Sequence, residues 1–468
     1  MTELARVPSR FPGRTRTNAG SVISRKCSAS SILSGSRSGD TQAYVAAQRV
    51  SDLIDDDIKK DALQRQAEGR KEVKVMLLGQ AESGKSTLQK QFQLYHASHT
   101  LELERPSWRI VVYANLIKAV RTILEEFDYE FYLSLDEYPL PPEGSGPTDV
   151  SSQNEIVGLR RNLLPLISLE DSLLSELSDG VSFVGHRRST LFPPRRGMFT
   201  RSGSRPVTDL RHSTSTTVAA NRAAQVLEMT ADYIDALWKH RSVKHLLRAR
   251  KLRLEESGCF FLDEVRRIAQ MDYIPSIEDV LHVRLQTVGV IEHSMKVNTV
   301  SGSYLWRIYD VGGTRSQRPA WCSYFDDVNA LIFLAPISAF DQYLEEDPLT
   351  NRIHDSLELL TSICSNKLLK DAQLILLFNK TDLLRKKLEA GVQIRQYIMS
   401  YGNRPNNYSG ATEYFRTHFL AAHKKKDAFQ RKLFVHFTTM LDVQATQIII
   451  ASVGDMIMRK HIARTGLL

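Results

Sequence analysis

Hydrophobic side chains follow two kinds of pattern along this chain. Continuous apolar runs, which are typical of buried strands, occur at 75–78 and 374–378, and a β-rich run spans 304–309. At 110–124 and again at 224–238, apolar residues instead recur at the spacing of one helix face. The patterns predict a sheet of buried strands and a helical region inserted after the first of them.

The apolar run at 75–78 leads into a glycine-rich turn. From Gly79 to Ser86 the sequence matches the G-x-x-x-x-G-K-S pattern of a P-loop, whose backbone N–H groups, lysine and serine bind phosphates and Mg²⁺. Glycine is required at Gly79 and Gly84 because a Cβ would obstruct the turn. A chance turn rarely has a strand before it and a helix after it, so we predict a nucleotide site. Its predicted ligands are Glu82, Ser83, Gly84, Lys85, Ser86 and Thr87.

The base of the nucleotide is indicated by the tetrapeptide Asn-Lys-Thr-Asp at 379–382. It follows the run at 374–378 and so lies at the carboxyl end of a predicted strand, where open α/β sheets bind ligands. Its carboxylate can accept hydrogen bonds from the N1–H and 2-amino group of guanine, donors that adenine does not offer in that arrangement. A guanine nucleotide is therefore predicted, and an ATP-dependent kinase is disfavoured. The residues assigned to the base are Asn379, Lys380, Thr381 and Asp382.

A carboxylate and two glycines follow the β-rich run at 304–309. Asp310 suits a hold on Mg²⁺ from outside its direct ligands, and the N–H of Gly313 suits a γ-phosphate. The nucleotide contacts predicted in this segment are Asp310, Val311, Gly312, Gly313 and Thr314.

Together these motifs resemble the α subunits of heterotrimeric G proteins, in the family's order from about 51 to 468. The resemblance implies a Ras-like P-loop GTPase domain of the α/β class with an inserted all-α domain. It also implies bound GTP or GDP with Mg²⁺, and a switch that hydrolyses GTP and transduces signals from G-protein-coupled receptors. Further matching segments are 72–79, 261–263, 272–275 and 465–468, and 335–348 is similar to the fungal branch.

The length of the chain between its motifs supports this architecture. About two hundred residues separate Gly79 from Asp279, far more than a minimal Ras-like GTPase places before its first switch. Small GTPases share the P-loop and the Asn-Lys-x-Asp motif but lack such an insert. A whole domain is therefore expected between these two positions.

Charge is concentrated in two serine-rich segments. Residues 1–40 carry seven Lys or Arg against two acids, and 186–222 carry eight Arg against one Asp, so the formal +9 of the chain becomes about −3 elsewhere. Such compositions bury too little apolar surface to offset chain entropy. The predicted units are a disordered basic extension at 1–40, an N-terminal helix at 41–70, a Ras-like GTPase domain at 71–98 and 279–468, and a helical domain at 99–278 containing a disordered Arg/Ser-rich insertion at about 186–222.

The resemblance also assigns catalytic and metal roles. Arg284 matches the family's built-in arginine finger, which neutralises developing phosphate charge and contributes on the order of 10³ or more in rate. Thr287 matches the second Mg²⁺-binding hydroxyl beside Ser86. A surface arginine is the alternative for Arg284, and Thr287 three residues on weighs against it. Further implied nucleotide contacts are Glu256, Ser257, Leu281, His282, Val283 and Met440.

Several positions depart from the family's pattern. The family has glutamine directly after Gly-Gly, where its amide orients the attacking water, and here Thr314 takes that catalytic position with too short a side chain. Gln317 lies three residues further on, and the sequence gives no reason to assume that it substitutes. Ala81 replaces a glycine beside the γ-phosphate. Because loss of a positioned polar group costs roughly 10²–10³ in turnover, we expect slow hydrolysis.

Two more departures concern partners and base. Pro319 falls where the second switch becomes helical and meets the βγ dimer, and an interior proline removes a hydrogen bond and bends a helix. Met440 stands in the loop that faces guanine; it can offer its backbone N–H, while its bulk is expected to alter affinity or exchange.

The resemblance implies a G-protein βγ dimer, a G-protein-coupled receptor and a downstream effector as partners, with peripheral membrane association and no nucleic acid. No apolar run approaches twenty residues, and Thr2 stands where N-myristoylation requires glycine. We expect the protein in the cytoplasm and on the cytoplasmic face of the plasma membrane, with Cys27 as the N-terminal candidate for palmitoylation. The alternative is a GTP-binding scaffold with negligible hydrolysis.

Overall fold

A computed structural model describes residues 72–137, 147–176, 181–182, 214–249, 252, 254–299 and 302–465, which all lie within one compact unit, Glu68–Leu468. Its centre is a six-stranded sheet of order β4-β5-β1-β6-β7-β8, in which only β4 runs antiparallel to its neighbour. A short antiparallel pair, β2 with β3, lies apart from it. The strands are β1 Glu72–Gly79, β2 Val181–Ser182, β3 Gln286–Thr287, β4 Val290–Thr299, β5 Gly302–Val311, β6 Ala330–Pro336, β7 Gln373–Asn379 and β8 Leu433–Phe437.

Helices surround the sheet and build the inserted region. The α-helices are α1 Lys85–His96, α2 Ser98–Glu104, α3 Arg109–Glu137, α4 Pro147–Ile167, α5 Glu170–Glu176, α6 Thr214–Lys239, α7 Arg241–Arg248, α8 Glu256–Asp263, α9 Val265–Ile268, α10 Ile277–His282, α11 Arg352–Ser365, α12 Thr381–Glu389, α13 Tyr408–Lys426 and α14 Val443–Thr465. Short 3₁₀ helices span Arg105–Trp108, Arg315–Tyr324, Ile337–Asp341, Lys367–Leu369, Ile394–Gln396 and Met399–Tyr401. None of these helices is long and apolar enough to cross a membrane.

Both faces of the sheet are covered, which explains why the inner strands β6 and β7 are mostly apolar. Every residue of β6 and β7 is buried. Alternate residues of β1 point to opposite faces: Met76 joins a core with α11 and α13, and Leu77 joins one with α1 and α14. The carboxyl ends of β1, β6 and β7 consequently meet at one edge of the sheet.

The inserted helices have a separate core. Ile117 and Val120 on α3 pack with Leu227 and Ile234 on α6, and Phe261 on α8 belongs to the same cluster. The helical stretches expected at 110–124 and 224–238 lie within α3 and α6. The described insert is therefore almost entirely helical, as the resemblance implied.

One boundary of the predicted disordered insertion was wrong. Helix α6 begins at Thr214, so residues 214–222 are helical rather than part of an unstructured segment. Ala220 and Ala223 are buried, and α6 packs against α4. Composition averaged over the whole segment concealed this small apolar face at its end. The rest of the predicted insertion, the extension at 1–40 and the helix at 41–70 lie outside the described residues.

Candidate functional site

The loop between β1 and α1 has the backbone that its glycines require. Gly79 and Gly84 have φ angles of 144° and 100°, and Glu82 between them also has a positive φ of 61°. A Cβ on Gly84 would lie 2.3 Å from Asn379 Nδ2, and one on Gly79 would lie 2.5 Å from the carbonyl oxygen of Leu334. Glycine thus lets the loop lie directly against the ends of β6 and β7.

The first residue of α1, Lys85, is buried beneath this loop. Its Nζ donates to the carbonyl oxygens of Gly79 and Gln80, at 3.0 and 2.6 Å. Burial lowers the pKa of Lys85 to about 8, against the opposing influence of Asp310. The ammonium therefore remains charged at neutral pH and lies inside the curve of the loop, where phosphate oxygens would meet it.

Two hydroxyls and a carboxylate meet one residue further along. Asp310 Oδ2 accepts hydrogen bonds from Ser86 Oγ at 2.5 Å and from Thr287 Oγ1 at 3.0 Å, and the two hydroxyl oxygens are 3.1 Å apart. Asp310 Oδ1 is buried and has no hydrogen-bond partner among the described residues. A cluster of hard oxygen donors with one unsatisfied carboxylate oxygen suits Mg²⁺, which prefers oxygen ligands and retains several waters. The three residues therefore fit the metal predicted from the sequence.

Arg284 lies at the junction of the loop and the helical insert. Its guanidinium pairs with Glu82 of the P-loop and, at 2.6 Å, with Glu255 just before α8. Its backbone is fixed as well, because Asn115 of α3 accepts from the Arg284 N–H at 3.0 Å and donates to its carbonyl oxygen at 3.1 Å. The arginine is thus positioned beside the loop by residues from both parts of the fold.

A second arginine, at the start of α11, holds the loop from the other side. Arg352 donates to the carbonyl oxygen of Ala81 and pairs with Glu82 at 3.0 Å. Although burial acts to raise the pKa of Glu82, the guanidiniums of Arg284 and Arg352 hold it at about 2. Glu82 is therefore ionised at every physiological pH and links the two arginines.

The predicted base-binding residues lie at the end of β7 and the start of α12. Asn379 Nδ2 donates to the carbonyl oxygen of Ser83 at 2.8 Å, which ties this segment to the P-loop. Asp382 faces the loop before α14, where its Oδ1 accepts from Thr439 Oγ1 at 3.2 Å. Thr381 meets the same Thr439 hydroxyl at 2.9 Å. The phosphate-binding and base-binding segments thus form one continuous surface at the carboxyl edge of the sheet.

Met440, whose backbone N–H was expected to be available to the base, lies in the loop before α14. Its side chain is buried in the core beneath α1, close to Gly84. Its N–H donates to Asn379 Oδ1 at 3.2 Å, and its carbonyl oxygen accepts from Gln91 at 2.8 Å. The residue therefore contributes to the site by holding Asn379.

The helical insert reaches the base-binding segment directly. Lys380 Nζ pairs with Glu256 Oε1 at 2.9 Å, and Ser257 beside it is buried. This contact brings residues from the start of α8 to the same edge as the sheet motifs.

Most of the remaining residues predicted to contact the nucleotide have side chains that pack within the protein. Leu281 and Val283 are buried, and the ring of His282 stacks on Phe260 with centroids 3.7 Å apart. Val311 is fully buried at the end of β5, whereas Thr87 is partly exposed in the first turn of α1. The side chains of Leu281, His282 and Val283 are thus engaged with the protein. The backbone of Val283 is engaged as well, because its N–H donates to the carbonyl oxygen of Asp279 at 2.9 Å and its own carbonyl oxygen accepts from Lys90 at 3.3 Å.

The segment after β5 packs tightly on the P-loop. A Cβ on Gly313 would lie 2.3 Å from the backbone nitrogen of Ala81, which accounts for glycine there. Thr314 is half-exposed, and its hydroxyl lies 3.3 Å from Ser316 Oγ. The segment continues as the 3₁₀ helix Arg315–Tyr324 with Pro319 inside it, so the proline stands in a tighter helix than the α-helix expected.

A buried carboxylate on α11 anchors this segment. Asp355 accepts hydrogen bonds from Arg318 at 2.6 and 3.0 Å and from Arg315 at 3.1 Å, and Gln80 of the P-loop also donates to it. Burial acts to raise the pKa of Asp355, but the hydrogen bonds from Arg318 and Gln80 hold it below its usual value. Sequence reasoning missed Asp355, Arg352 and Glu255, since no local motif marks them. For Gln80 the sequence did offer a signal, because a long polar side chain at an unspecified position of the P-loop motif needs a hydrogen-bond partner.

Comparison with known proteins places this geometry in a family. The sequence model described as "G-protein alpha subunit" matches residues 48–457. The chain is 30% identical to the guanine nucleotide-binding protein alpha-4 subunit of Mycosarcoma maydis, over 84% of this chain and 83% of that protein. It is 29% identical to the alpha-1 subunit of the same fungus, over 92% and 99% of the two chains. It is 28% identical to the guanine nucleotide-binding protein subunit alpha of Emericella nidulans, over 89% and 95%.

Proposed function

The chain belongs to the G-protein α-subunit family of GTP-binding, GTP-hydrolysing signal transducers, and from this premise we propose a GDP/GTP switch with slow intrinsic hydrolysis. The observation that carries the proposal is the meeting of three motifs at one sheet edge. Lys85 of the P-loop, the oxygen cluster around Asp310 and the base-binding Asp382 all belong to one continuous surface. Such an arrangement binds the phosphates, the metal and the base of a single guanine nucleotide.

Mg²⁺ is proposed as the metal of this site. Ser86 and Thr287 would hold it through their hydroxyls, and Asp310 would orient both. When bound, the ion neutralises charge on the phosphate oxygens. The protein contributes the fixed positions of these side chains.

Hydrolysis requires attack of water on the γ-phosphorus. The bond to the oxygen bridging the β- and γ-phosphates breaks, and the products are GDP and inorganic phosphate. Arg284 stands beside Glu82 of the P-loop, where its guanidinium can meet negative charge that develops on those oxygens. Its pairing with Glu255 means that part of its charge is engaged before the reaction begins.

Slow hydrolysis is proposed because two residues of the family's pattern are missing where the attacking water should lie: the glutamine after Gly313 and the P-loop glycine at position 81. Thr314 directs its hydroxyl to Ser316, and its side chain is too short to reach where a glutamine amide would lie. Ala81 adds a methyl group next to Gly313, where the backbones are already in close approach. Neither change touches Lys85, Ser86 or Asp382, so nucleotide binding is expected to persist.

Partners and location are proposed from the family. We expect a βγ dimer, a G-protein-coupled receptor and a downstream effector, with peripheral attachment to the cytoplasmic face of the plasma membrane. The last helix, α14, is the proposed receptor contact. The 3₁₀ helix containing Pro319 presents a different surface from an α-helix, so we expect weaker βγ binding than is usual.

A GTP-binding scaffold with negligible hydrolysis is the second candidate. Thr314 and Ala81 favour it because both alter the part of the site where water should attack, while the residues expected to bind the phosphates are present. The two candidates differ in a single quantity, the rate of γ-phosphate release.

Single-turnover hydrolysis of preloaded GTP with Mg²⁺ tests the proposal. We expect slow turnover in the parent and an increase of about 10²-fold in Thr314→Gln, with a smaller increase in Ala81→Gly. Thr417→Gln, on the exposed side of α13, is the matched control. Equal rates in the parent and Thr314→Gln would contradict slow hydrolysis, and a parent without turnover would favour the scaffold. Displacement of bound GDP by ATP as readily as by GTP would contradict the guanine assignment.

A further inference from the structure

The arginine assigned to catalysis is held by two carboxylates from different parts of the fold. Arg284 Nη2 pairs with Glu82 of the P-loop, and its Nη1 pairs with Glu255 Oε2 at 2.6 Å. Burial acts to lower the pKa of Arg284, but Glu82 and Glu255 raise it above its ordinary value. Both terminal nitrogens of the guanidinium are therefore engaged with acids, and phosphate oxygens would have to compete for them.

The two carboxylates differ in where they hold the arginine. Glu82 belongs to the loop that surrounds the phosphate position, and its second oxygen is bound by Arg352 at 3.0 Å. Contact with Glu82 therefore keeps the guanidinium beside the P-loop. Glu255 instead directly precedes α8 of the helical insert, so contact with Glu255 ties the guanidinium to the insert.

Glu255 is itself anchored on two sides. Its Oε1 pairs with Lys118 of α3 at 2.6 Å, which leaves Oε2 for Arg284. Its carbonyl oxygen accepts from the N–H of Cys259 at 3.1 Å, in the first turn of α8. A carboxylate fixed through both its backbone and its other oxygen cannot follow the guanidinium if the guanidinium moves. Glu255 is thus a rigid partner for Arg284.

Resting on the proposed function, we propose that Glu255 is a positioning residue that restrains Arg284 and thereby slows the hydrolysis of GTP. To stabilise the charge that develops on the phosphate oxygens, Nη1 of Arg284 must exchange Glu255 for phosphate. The free energy needed to break this ion pair is then part of the barrier. The restraint is separate from the changes at Thr314 and Ala81, because it acts on the arginine and not on the water.

The exposure of the pair makes the restraint sensitive to salt. The side chains of Arg284 and Glu255 are 23% and 29% exposed, so solvent ions reach both partners. Raised ionic strength weakens an ion pair of this kind. Hydrolysis by the parent protein should consequently become faster as salt is added, as long as the nucleotide stays bound.

The rate of phosphate release from GTP already bound with Mg²⁺, measured in Glu255→Gln, tests the inference. Glutamine keeps the size of the side chain and removes its charge. We expect turnover per bound nucleotide to rise about three- to fivefold, the contribution of one partly exposed ion pair. Glu125→Gln is the matched control, because it removes an ion pair of the same insert, with Arg121, that does not involve Arg284. Turnover in this control should stay within about 1.5-fold of the parent.

Two further measurements separate a restraint on the arginine from a general effect on the fold. In the Arg284→Ala background, Glu255→Gln should change turnover by less than about 1.5-fold, because no guanidinium remains to be released. Added salt should accelerate the parent, and it should accelerate Glu255→Gln by a smaller factor. A loss of structural support would lower turnover in every background and would not reproduce this pattern.

The opposite results would overturn the inference. Unchanged turnover in Glu255→Gln would show that the ion pair is not part of the barrier, and lower turnover would show that Glu255 assists the arginine. An equal rise in the Arg284→Ala background would mean that the effect does not act through Arg284. Should Glu255→Gln fail to load nucleotide, Glu255→Asn also removes the charge and should show the same rise.

The proposed function fails on different evidence. If the parent and Glu255→Gln both bound GTP without any turnover, the inference would be wrong while guanine-nucleotide binding stood. If the parent did not prefer GTP to ATP, the proposed function itself would be refuted.

Discussion

The two sides of the nucleotide site differ in how closely they follow the family's pattern. The side that binds the phosphates and the metal consists of Lys85 and Ser86 of the P-loop with Thr287 and Asp310, and it has the side chains that the family's pattern requires. The water side consists of Ala81 with 312–318, and there the expected glutamine is missing. Since binding depends on the first and attack by water on the second, the difference teaches that affinity and turnover can be set separately on one scaffold.

The largest difference between the effect on turnover and the effect on nucleotide affinity is expected from Arg284→Ala. Removal of the guanidinium should lower single-turnover hydrolysis by about 10³-fold or more, because charge developing on the phosphate loses its counter-charge. Nucleotide affinity should change by much less. The rate of phosphate release from preloaded GTP measures this, with Arg416→Ala on the exposed side of α13 as the control. A loss of affinity as large as the loss of rate would show that the two sides are not separable here.

The opposite behaviour is expected from Lys85→Met. Loss of a buried ammonium that meets phosphate should weaken guanine nucleotide binding by about 10²-fold or more, in line with roughly 2–5 kcal/mol for a truncated charged pair. Equilibrium binding of a fluorescent GDP analogue measures this, and Lys386→Met, exposed on α12, is the matched control. Tight binding by Lys85→Met would mean that the lysine serves the loop carbonyls alone.

A smaller effect on the water side is expected from Asp355→Asn. The substitution weakens the hold on Arg315, Arg318 and Gln80 together, so the segment that follows Gly313 should lose its fixed position. We expect turnover to fall roughly tenfold, since a displacement of about 1 Å can cost up to about 10²-fold. Binding of GDP should remain within about twofold of the parent. Asp371→Asn, exposed before β7, is the control, and unchanged turnover would show that Asp355 does not position this segment.

The smallest effect concerns acid stability. The pKa of Glu82, about 2, lies below its ordinary value of 4.5, so its ionised form stabilises the folded protein above pH 4.5, and that contribution is lost as the pH falls toward 2. The difference in free energy of unfolding between the parent and Glu82→Gln should be constant from pH 7 to 5 and then shrink on acidification. Thermal unfolding across this range measures it. If the difference in unfolding free energy between the two proteins grew toward low pH, the pKa of Glu82 could not be lowered in the folded state.

What the sequence could predict is what local patterns encode. The P-loop, the Asn-Lys-Thr-Asp segment and the carboxylate after β5 each combine a strand with a short motif, and the structure brings them to one edge because parallel strands end together. The fold class and the family were confirmed by the comparisons. The predicted end of the disordered insertion, at about 222, was too late because the buried alanines at the start of α6 carry little hydrophobic signal.

The supporting shell could not be predicted in the same way. Arg352 meets Glu82 across 270 residues of sequence, and Asp355 meets Gln80 across 275. No periodicity or motif connects residues so far apart, and only the folded sheet brings α11 to the P-loop. The burial of Met440 was likewise decided by the space beneath α1 rather than by its place in the chain.

The ion pairs around Arg284 form a chain of alternating charge, and this chain bears on how long a nucleotide stays bound. Lys118 on α3 pairs with Glu255 at 2.6 Å, Glu255 with Arg284, Arg284 with Glu82, and Glu82 with Arg352. Any movement that parts the helical insert from the sheet must break one of these links. Dissolved salt weakens such links where water reaches them. The lifetime of the bound nucleotide should therefore shorten as the ionic strength rises.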